Sequence, residues 1–344
     1  MNRKKNNNLW AILLIIGVSY PTCFFAFIDD IAKDYLCSSD ELYPIEVLRA
    51  YSHIEPWIYV DFDESMKTAH YSRAITATMS LVGVDGMVLL NFFRNLFEKN
   101  NLSRIAPAPE VKIPKIIHQI WLGSPVPPVL ERYMNTWIKY HVGREWQYKL
   151  WTEEDIAQFR LYNQKFYDAS DNYGVKSDIA RWEILYSMGG VYVDTDFECF
   201  RPLDILHYTY DFYIALQPLD SLFVQLGIGL VGTVPGHPII KHCIETIKDD
   251  WQKKGAPKKT GPVHFTRSFY QMANREGYKD IAFPASYFYP LGCQKNTDRI
   301  DIEAWEKRGA FGVHWWGKTW MPKPFRPSAF QSIKNDASAK SWND

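Results

Sequence analysis

The chain has 344 residues, with 39 basic and 39 acidic side chains and a formal net charge of zero. That length suits one large domain with additions, or two domains, and the charge balance lacks the basic footprint of a nucleic-acid binder. Hydrophobic residues at 47% and aromatics at 16% supply ample core. The rings read first as packing and second as rigid platforms for a base or sugar. Five cysteines, Cys23, Cys37, Cys199, Cys243 and Cys293, form no C-x-x-C pair and no zinc spacing. Their odd number argues against a complete disulfide framework, and one or two bridges stay open.

In chain order, Arg3-Lys4-Lys5 precedes an uncharged run from Leu9 to Ile28, closed by Asp29-Asp30. The run is long enough to cross a bilayer as a helix. It predicts an uncleaved single-pass anchor (residues 1–28) in preference to a cleaved secretory signal, because no small-x-small cleavage site stands out. The basic flank then stays cytoplasmic. Residues 29–110 read as a helical stem or accessory region. Within it, Ile75 to Phe93 is apolar but carries Asp85, which would be costly in lipid, so a core or membrane-surface helix is preferred to a second span. Asn101-Leu102-Ser103 is a glycosylation sequon, relevant only in a eukaryotic secretory pathway. Pro107-Ala108-Pro109 reads as a linker and places a boundary near 110.

Beyond that point the periodicity alternates. Lys115–Trp121 predicts a buried strand, Val129–His141 a helix, Gln147–Trp151 a strand, and Thr152-Glu153-Glu154-Asp155 a capped helix start. Alternation of this kind predicts an α/β domain (111–330) with a mostly parallel central sheet. In such sheets ligands bind beyond the carboxyl ends of the strands. Phe212–Leu216 reads as a further strand and Ile239–Trp251 as a helix. Lys253–Lys259 reads as a mobile basic loop, Gly261-Pro262 as a helix start, and 331–344 as a polar tail.

The most informative stretch runs from Ser177 to Asp196. Ser177 or Asp178 is expected to cap a helix, Gly189-Gly190 to end it, and Val191-Tyr192-Val193 to form a short strand. The strand delivers Asp194 and Asp196. As i and i+2 they are expected to share a face and to point at one cation. Such an ion, held by few carboxylates, also takes water and phosphate oxygens. An Asp-x-Asp pair alone is weak, since acidic pairs on solvated loops are common. Here it follows a helix carrying Asp178 and Arg181, a Gly-Gly turn and a β run.

That combination resembles the DXD-motif sugar transferases of glycosyltransferase family thirty-two, which includes Golgi α-mannosyltransferases and inositolphosphoceramide mannosyltransferases. The resemblance runs from about Ile113 to Trp320. It is carried by Ile116-Ile117-His118-Gln119-Ile120-Trp121-Leu122-Gly123, Leu150-Trp151-Thr152-Glu153-Glu154-Asp155, the stretch just described, Pro235-Gly236-His237-Pro238, Thr260-Gly261-Pro262 and His314-Trp315-Trp316-Gly317. It implies a GT-A type fold and a metal-dependent retaining hexosyltransferase. The sugar (mannose, galactose, glucose or GlcNAc) would come from a UDP- or GDP-sugar donor. The acceptor would be a glycan, glycolipid or protein, and the cofactor Mn2+ or Mg2+. A membrane position follows from the N-terminal segment: Golgi-type and lumenal in a eukaryote, otherwise bacterial or secreted.

Residue by residue, the resemblance makes Asp194 and Asp196 the catalytic and metal-binding pair, with His314 completing the metal shell. It makes Asp178 and Arg181 grip the donor sugar, Arg181 also lying near phosphate; the plain alternative is a local i, i+3 ion pair. Trp121 is expected to stack on the donor base, with a strand-end core Trp as the alternative. Trp316 through its indole N–H, and Lys318 as a point charge, are expected at the diphosphate. Gly261, Pro262 and His264 are expected on the acceptor side. His118 reads as a satisfied core histidine and Trp151 as packing. One departure stands out: many relatives carry an Asn where this chain reads Gln225-Leu226-Gly227-Ile228-Gly229. Two other readings compete. One is a non-catalytic sugar-binding relative. The other is a haloacid-dehalogenase-type phosphatase, whose motif would want a Thr at the place of Glu198.

Overall fold

Six strands form the central sheet, and in space their order is β2-β1-β3-β6-β5-β7. They are β1 (Ile116–Ile120), β2 (Gln147–Trp151), β3 (Gly190–Val193), β5 (Phe212–Leu216), β6 (Leu226–Thr233) and β7 (Asp280–Phe283). Pairings β1/β2, β1/β3 and β5/β7 are parallel, whereas β6 is antiparallel to both β3 and β5. β6 alone therefore runs against the others. A separate antiparallel ribbon joins β4 (Phe197–Cys199) to β8 (Gly312–His314). The structure, a computed structural model, describes residues 58–67, 80–143, 145–221, 223–275, 277–292 and 300–317, all within one compact unit, Ile58–Asp344. The apolar run Leu9–Ile28, Lys318, the tail from 331 and Cys23, Cys37 and Cys293 lie outside those residues. Cys199 and Cys243 are buried and free.

Central strands whose faces are both covered should read as continuous apolar runs. All five residues of β5 and all eight of β6 are buried. The mixed α/β architecture with a mostly parallel sheet is thus as expected, and the boundaries of β2 and β5 coincide with the sequence reading. The helices that matter for the site are α3 (Pro128–His141), α6 (Tyr173–Met188), α8 (Pro238–Asp250) and α10 (Pro262–Met272). Shorter ones are α4 (Glu153–Phe159), α5 (Gln164–Asp168), α7 (Asp204–Thr209), α9 (Ala256–Lys259) and α11 (Ile302–Lys307). α4 opens with the expected capping box, Thr152 with Asp155. The stretch Lys253–Lys259, read as a loop, ends in the α9 turn.

α6 starts one turn earlier than its sequence suggests. Asn172, not Ser177 or Asp178, is the cap, its side chain accepting from Val175 N at 3.1 Å. Ser177 and Asp178 lie inside the helix, where their side chains serve the site. The helix ends at Gly189, whose φ of 64° and that of Gly190 at 91° suit residues without a Cβ. A Cβ on Gly190 would also come 2.6 Å from the Ile116 carbonyl oxygen, so glycine lets β3 lie close beside β1.

Of the expected stem, residues 58–67 and 80–110 are described, and they belong to this unit. α1 (Phe62–Met66) and α2 (Gly86–Asn100) precede the sheet. Asp85, read as costly in lipid, is the α2 cap, accepting from Met87 N and Val88 N. Phe93 meets Phe269 of α10 at 5.8 Å between ring centroids, and Phe97 meets Phe283 of β7 at 6.2 Å. Asn100 donates to the Asp280 carbonyl at 2.8 Å. From Gly86 on the apolar segment is therefore a core helix, while residues 75–79 lie outside the described residues. No helix among the described residues is long and apolar enough to cross a membrane. The sequon fails on geometry: Asn101 is buried, and its amide nitrogen donates to the Phe97 and Glu98 carbonyls, which leaves no room for a glycan. The Pro107–Pro109 linker is strapped down, with Ala108 N donating to Tyr208 O at 2.8 Å.

Two core histidines are held neutral. His118 accepts from the Trp151 indole at Nδ1 (3.2 Å), so its Nε2–H donates to Gly189 O (3.0 Å). His207 donates from Nδ1 to Ile113 O and accepts from the Tyr213 hydroxyl at Nε2, both 2.9 Å. Burial pushes His118 down to about 4 and His207 to about 3, with Asp204, His141 and Lys115 as the charged and titratable neighbours of His207. A depressed histidine contributes stability that is present above its unfolded value near 6.5 and is lost as pH falls toward its folded value. Between pH 7 and 5 each should cost about 2 kcal/mol of unfolding free energy. Urea midpoints measured across that interval should fall, and His207→Phe should make the fall smaller by the share His207 contributes.

Candidate functional site

The acidic pair lies just past the carboxyl end of β3, where β3 borders the reversed strand β6. Asp194 N donates to Gly229 O of β6 at 2.7 Å, and its carbonyl accepts from the Gln119 amide at 3.2 Å. Gln119 is itself held by the Tyr148 hydroxyl at 2.7 Å. Phe197 N donates to Asp194 O at 3.1 Å, so Asp194-Thr195-Asp196-Phe197 is a tight turn. Strand alternation therefore does not bring the two carboxylates together, as the sequence reading assumed. The turn does, with help from the far end of the domain.

That help is the segment from His314 to Gly317, which follows β8. His314 Nε2 lies 3.0 Å from Asp196 Oδ1 and 3.5 Å from Asp194 Oδ2. The backbone of the same segment grips Asp196 twice: Trp315 N donates to its carbonyl at 2.9 Å and Gly317 N to its Oδ2 at 2.5 Å. One ligand atom from each of Asp194, Asp196 and His314 lies within 4.8 Å of the others. Burial alone would lower the His314 pKa, but the Asp196 and Asp194 carboxylates outweigh it and raise it to about 9. His314 Nδ1 is buried without a hydrogen-bond partner. Two carboxylates and an imidazole suit a first-row divalent ion or Mg2+. The residues fit a metal. A cation between them would replace the proton that otherwise separates imidazole from carboxylate.

Behind Asp194 stands a buried charge network. Tyr192 donates to Asp194 Oδ1 at 2.8 Å, and Arg181 Nη2 lies 3.4 Å from the same oxygen. Arg181 also reaches Asp178 Oδ1 (3.2 Å), donates to Ile228 O of β6 (2.7 Å) and stacks 4.1 Å over the Tyr192 ring. Asp178 Oδ2 accepts from Thr260 Oγ1 at 2.9 Å. Burial raises Asp178 to about 6, against the lowering pull of Arg181 and Thr260. Burial would likewise raise Asp194, yet Arg181, His314 and Tyr192 hold it below the usual carboxylate range. Burial would lower Arg181, and Tyr192, Asp194 and Asp178 more than reverse that.

Several expected roles change. Asp178 and Arg181 are 6% and 5% exposed and are paired with each other, so the guanidinium is a brace for Asp194 rather than a group free to reach phosphate. The Trp316 indole N–H already donates to Leu291 O at 2.9 Å, so it is not turned toward a diphosphate. His264 is fully enclosed between Asp250 and the Cys243 carbonyl and lines no acceptor pocket. Gly261, before Pro262 of α10, does border the network: a Cβ there would come 3.2 Å from Asp178 Oδ2. Trp121 is partly exposed beyond β1, its indole donating to Ser124 O at 2.8 Å. Gln225, in the stretch where the resemblance led to an expected Asn, donates to Gln217 Oε1 at 2.7 Å.

The sequence reading gave no role to Tyr192, Thr260, Gln119 or Tyr289. Tyr192 was visible as the inward neighbour two residues before Asp194. Tyr289 carried no local signal. Its ring fills the place of a Cβ on Gly227, and a Cβ on Gly229 would come 2.9 Å from Asp194 Oδ2. Both glycines are thus required by the site's own packing.

Residues 127–213 match the family described as "Glycosyltransferase sugar-binding region containing DXD motif". This part of the chain is similar to DXD-type sugar-binding regions. Inositol phosphoceramide mannosyltransferase 1 of Schizosaccharomyces pombe is 38% identical over 29% of this chain and 33% of its own length. Uncharacterized glycosyltransferase L373 of Acanthamoeba polyphaga mimivirus is 27% identical over 54% of this chain and 76% of its own length. Among solved structures, the PaToxG glycosyltransferase aligns with a TM-score of 0.41 at 17% identity, covering 54% of this chain and 78% of that one. The match to the first of these relatives spans only a third of that protein. The phosphatase alternative gains nothing from these comparisons, and Glu198, where it would want a Thr, accepts instead from the Trp315 indole.

Removing the Arg181 charge leaves the buried Asp178 and the half-buried Asp194 without their cation, and breaking a buried pair typically costs about 3–5 kcal/mol. Arg181→Met should lower the unfolding free energy by that amount in urea titration, whereas Tyr192→Phe, which removes a single hydrogen bond to Asp194, should cost about 1–3 kcal/mol.

Proposed function

We propose that the chain is a metal-dependent glycosyltransferase of GT-A type, retaining anomeric configuration, that moves a hexose from a nucleotide-sugar donor to an acceptor. The observation that carries this reading is the Asp194–Asp196–His314 cluster, set at the strand edge where α/β sheets bind ligands. The DXD-region match and the glycosyltransferase relatives support the same reaction class. Names among the relatives favour mannose as the sugar and a glycolipid as the acceptor. The N-terminal apolar run serves as the membrane anchor in this reading, with the catalytic domain on the lumenal side of a Golgi-type membrane.

In this reading Asp194, Asp196 and His314 hold the ion, Mn2+ by preference. Held there, it would supply Lewis-acid neutralisation of the diphosphate leaving group. The protein's own part is preorganisation. Arg181 and Tyr192 fix Asp194 before any ligand arrives, so its carboxylate does not reorient during reaction. The main chain of Trp315 and Gly317 does the same for Asp196. Trp121, at the rim, offers a ring to the donor base, and Gly261 keeps the Asp178 side of the cradle free of a side chain. Lys318 follows directly after the segment that holds Asp196, so it is the nearest chain neighbour able to bring a positive charge to the diphosphate.

With the full chain and Mn2+, a panel of UDP- and GDP-sugars should show nucleotide release with at least one donor, GDP-mannose first. Chelation should abolish it, and Asp196→Ala should reduce it by at least about 100-fold. Undiminished turnover in Asp196→Ala would overturn the metal role. A donor-induced rise in melting temperature without release would favour a binding protein that has lost turnover.

A further inference from the structure

Asp196 depends on a segment more than a hundred residues away, so something must hold that segment in place. The ladder between β4 and β8 is short: three residue pairs, Phe197 with His314, Glu198 with Val313 and Cys199 with Gly312. Beyond it the chain runs through Trp315, Trp316 and Gly317 without further strand pairing. β4 itself is firmly mounted on α3. Trp137 donates to Phe197 O at 2.7 Å, and Cys199 N donates to Thr136 Oγ1 at 2.9 Å. Phe197 and Cys199 point into the core, and alternation sends Glu198 to the opposite face. There its Oε2 accepts from the Trp315 indole N–H at 2.9 Å. The Trp315 ring stacks on Tyr133 of α3, with centroids 5.7 Å apart and planes at 15°. Glu198 is absent from the metal-ligand set, and the reaction described above gives it no other task.

We propose that Glu198, with Tyr133 as the ring behind it, latches Trp315 and thereby positions His314 and Gly317 on Asp196. The latch is a positioning device for the metal centre, and it rests on the metal reading given above. The Trp316 indole anchors the segment to Leu291 O, and the Glu198 bond ties its Trp315 to the mounted β4 through a charge-assisted hydrogen bond, which is roughly twice as strong as a neutral one. Trp315 sits between His314 and the Trp316–Gly317 pair, so fixing its ring fixes a ligand on one side and an amide donor on the other. An aromatic ring clamped between an acceptor and a second ring has little rotational freedom left, and the flanking main chain inherits that restraint.

The test uses the full chain and Mn2+ alone, titrated by electron paramagnetic resonance, so that no donor or turnover enters. Glu198→Ala should weaken Mn2+ binding about tenfold while leaving the chain folded by circular dichroism. Glu198→Gln keeps an oxygen acceptor and should stay within about threefold of wild type. Trp315→Phe keeps the stack on Tyr133 but loses the N–H, and should match Glu198→Ala; it decides the matter if the alanine variant does not fold. The double variant should be no weaker than either single, because both remove one bond. Wild-type binding with unchanged Glu198→Ala and Trp315→Phe overturns the latch alone, as do losses that add in the double variant or a Glu198→Gln as weak as the alanine. A wild-type chain that holds no Mn2+ overturns the metal reading, and the latch with it.

Discussion

The guanidinium of Arg181 is the interaction on which the rest of this site depends. It joins three elements of different origin: α6, which carries it; β3, through Tyr192 and the following Asp194; and β6, through the Ile228 carbonyl. A buried cation of this kind is tolerable only when its partners are charged and well placed. Asp178 and Asp194 supply that charge, and Tyr192 supplies a ring face. The consequence is a carboxylate whose position is set by the fold. Asp194 stays ionised and correctly turned because rearranging it would strand the Arg181 charge.

The reversed strand β6 is the second constraint. Inserted between β3 and β5, it gives the sheet its seam, and the seam is where the acidic turn emerges. Gly227 and Gly229 let Tyr289 and Asp194 approach the strand more closely than any side chain would permit. A side chain at Gly229 would meet Asp194 head-on.

Much of the α/β framework was legible in the chain. Hydrophobic period and turn chemistry are local signals, and β2, β5, α3 and the Gly189-Gly190 stop all followed from them. That Asp194 and Asp196 form an acidic pair beyond the β3 end was legible too, through spacing and context. Their geometry was not, because the i, i+2 argument holds inside a strand and the pair sits in a turn. Nor was the fate of Arg181, Trp316 and His264. Type and position in the chain suggest what a side chain can donate, but not whether a carbonyl such as that of Leu291, or a carboxylate such as Asp250, has already taken the donor. Tyr289 and the Glu198–Trp315 contact join residues about sixty or more apart and leave no trace in any local window.

The distance along the chain between Asp196 and His314, 118 residues, has a consequence in time. During synthesis the sheet strands through β7, and the Arg181 network with them, can assemble while the C-terminal segment is still unmade. Asp194 is then braced, but Asp196 has neither its amide donors nor its imidazole. The centre closes only when β8 emerges and zips onto β4. Between the completion of β7 and that of β8 the nascent chain can thus exist as a folded scaffold in which the Asp194–Asp196–His314 cluster is still incomplete, and the cluster forms in a single late step.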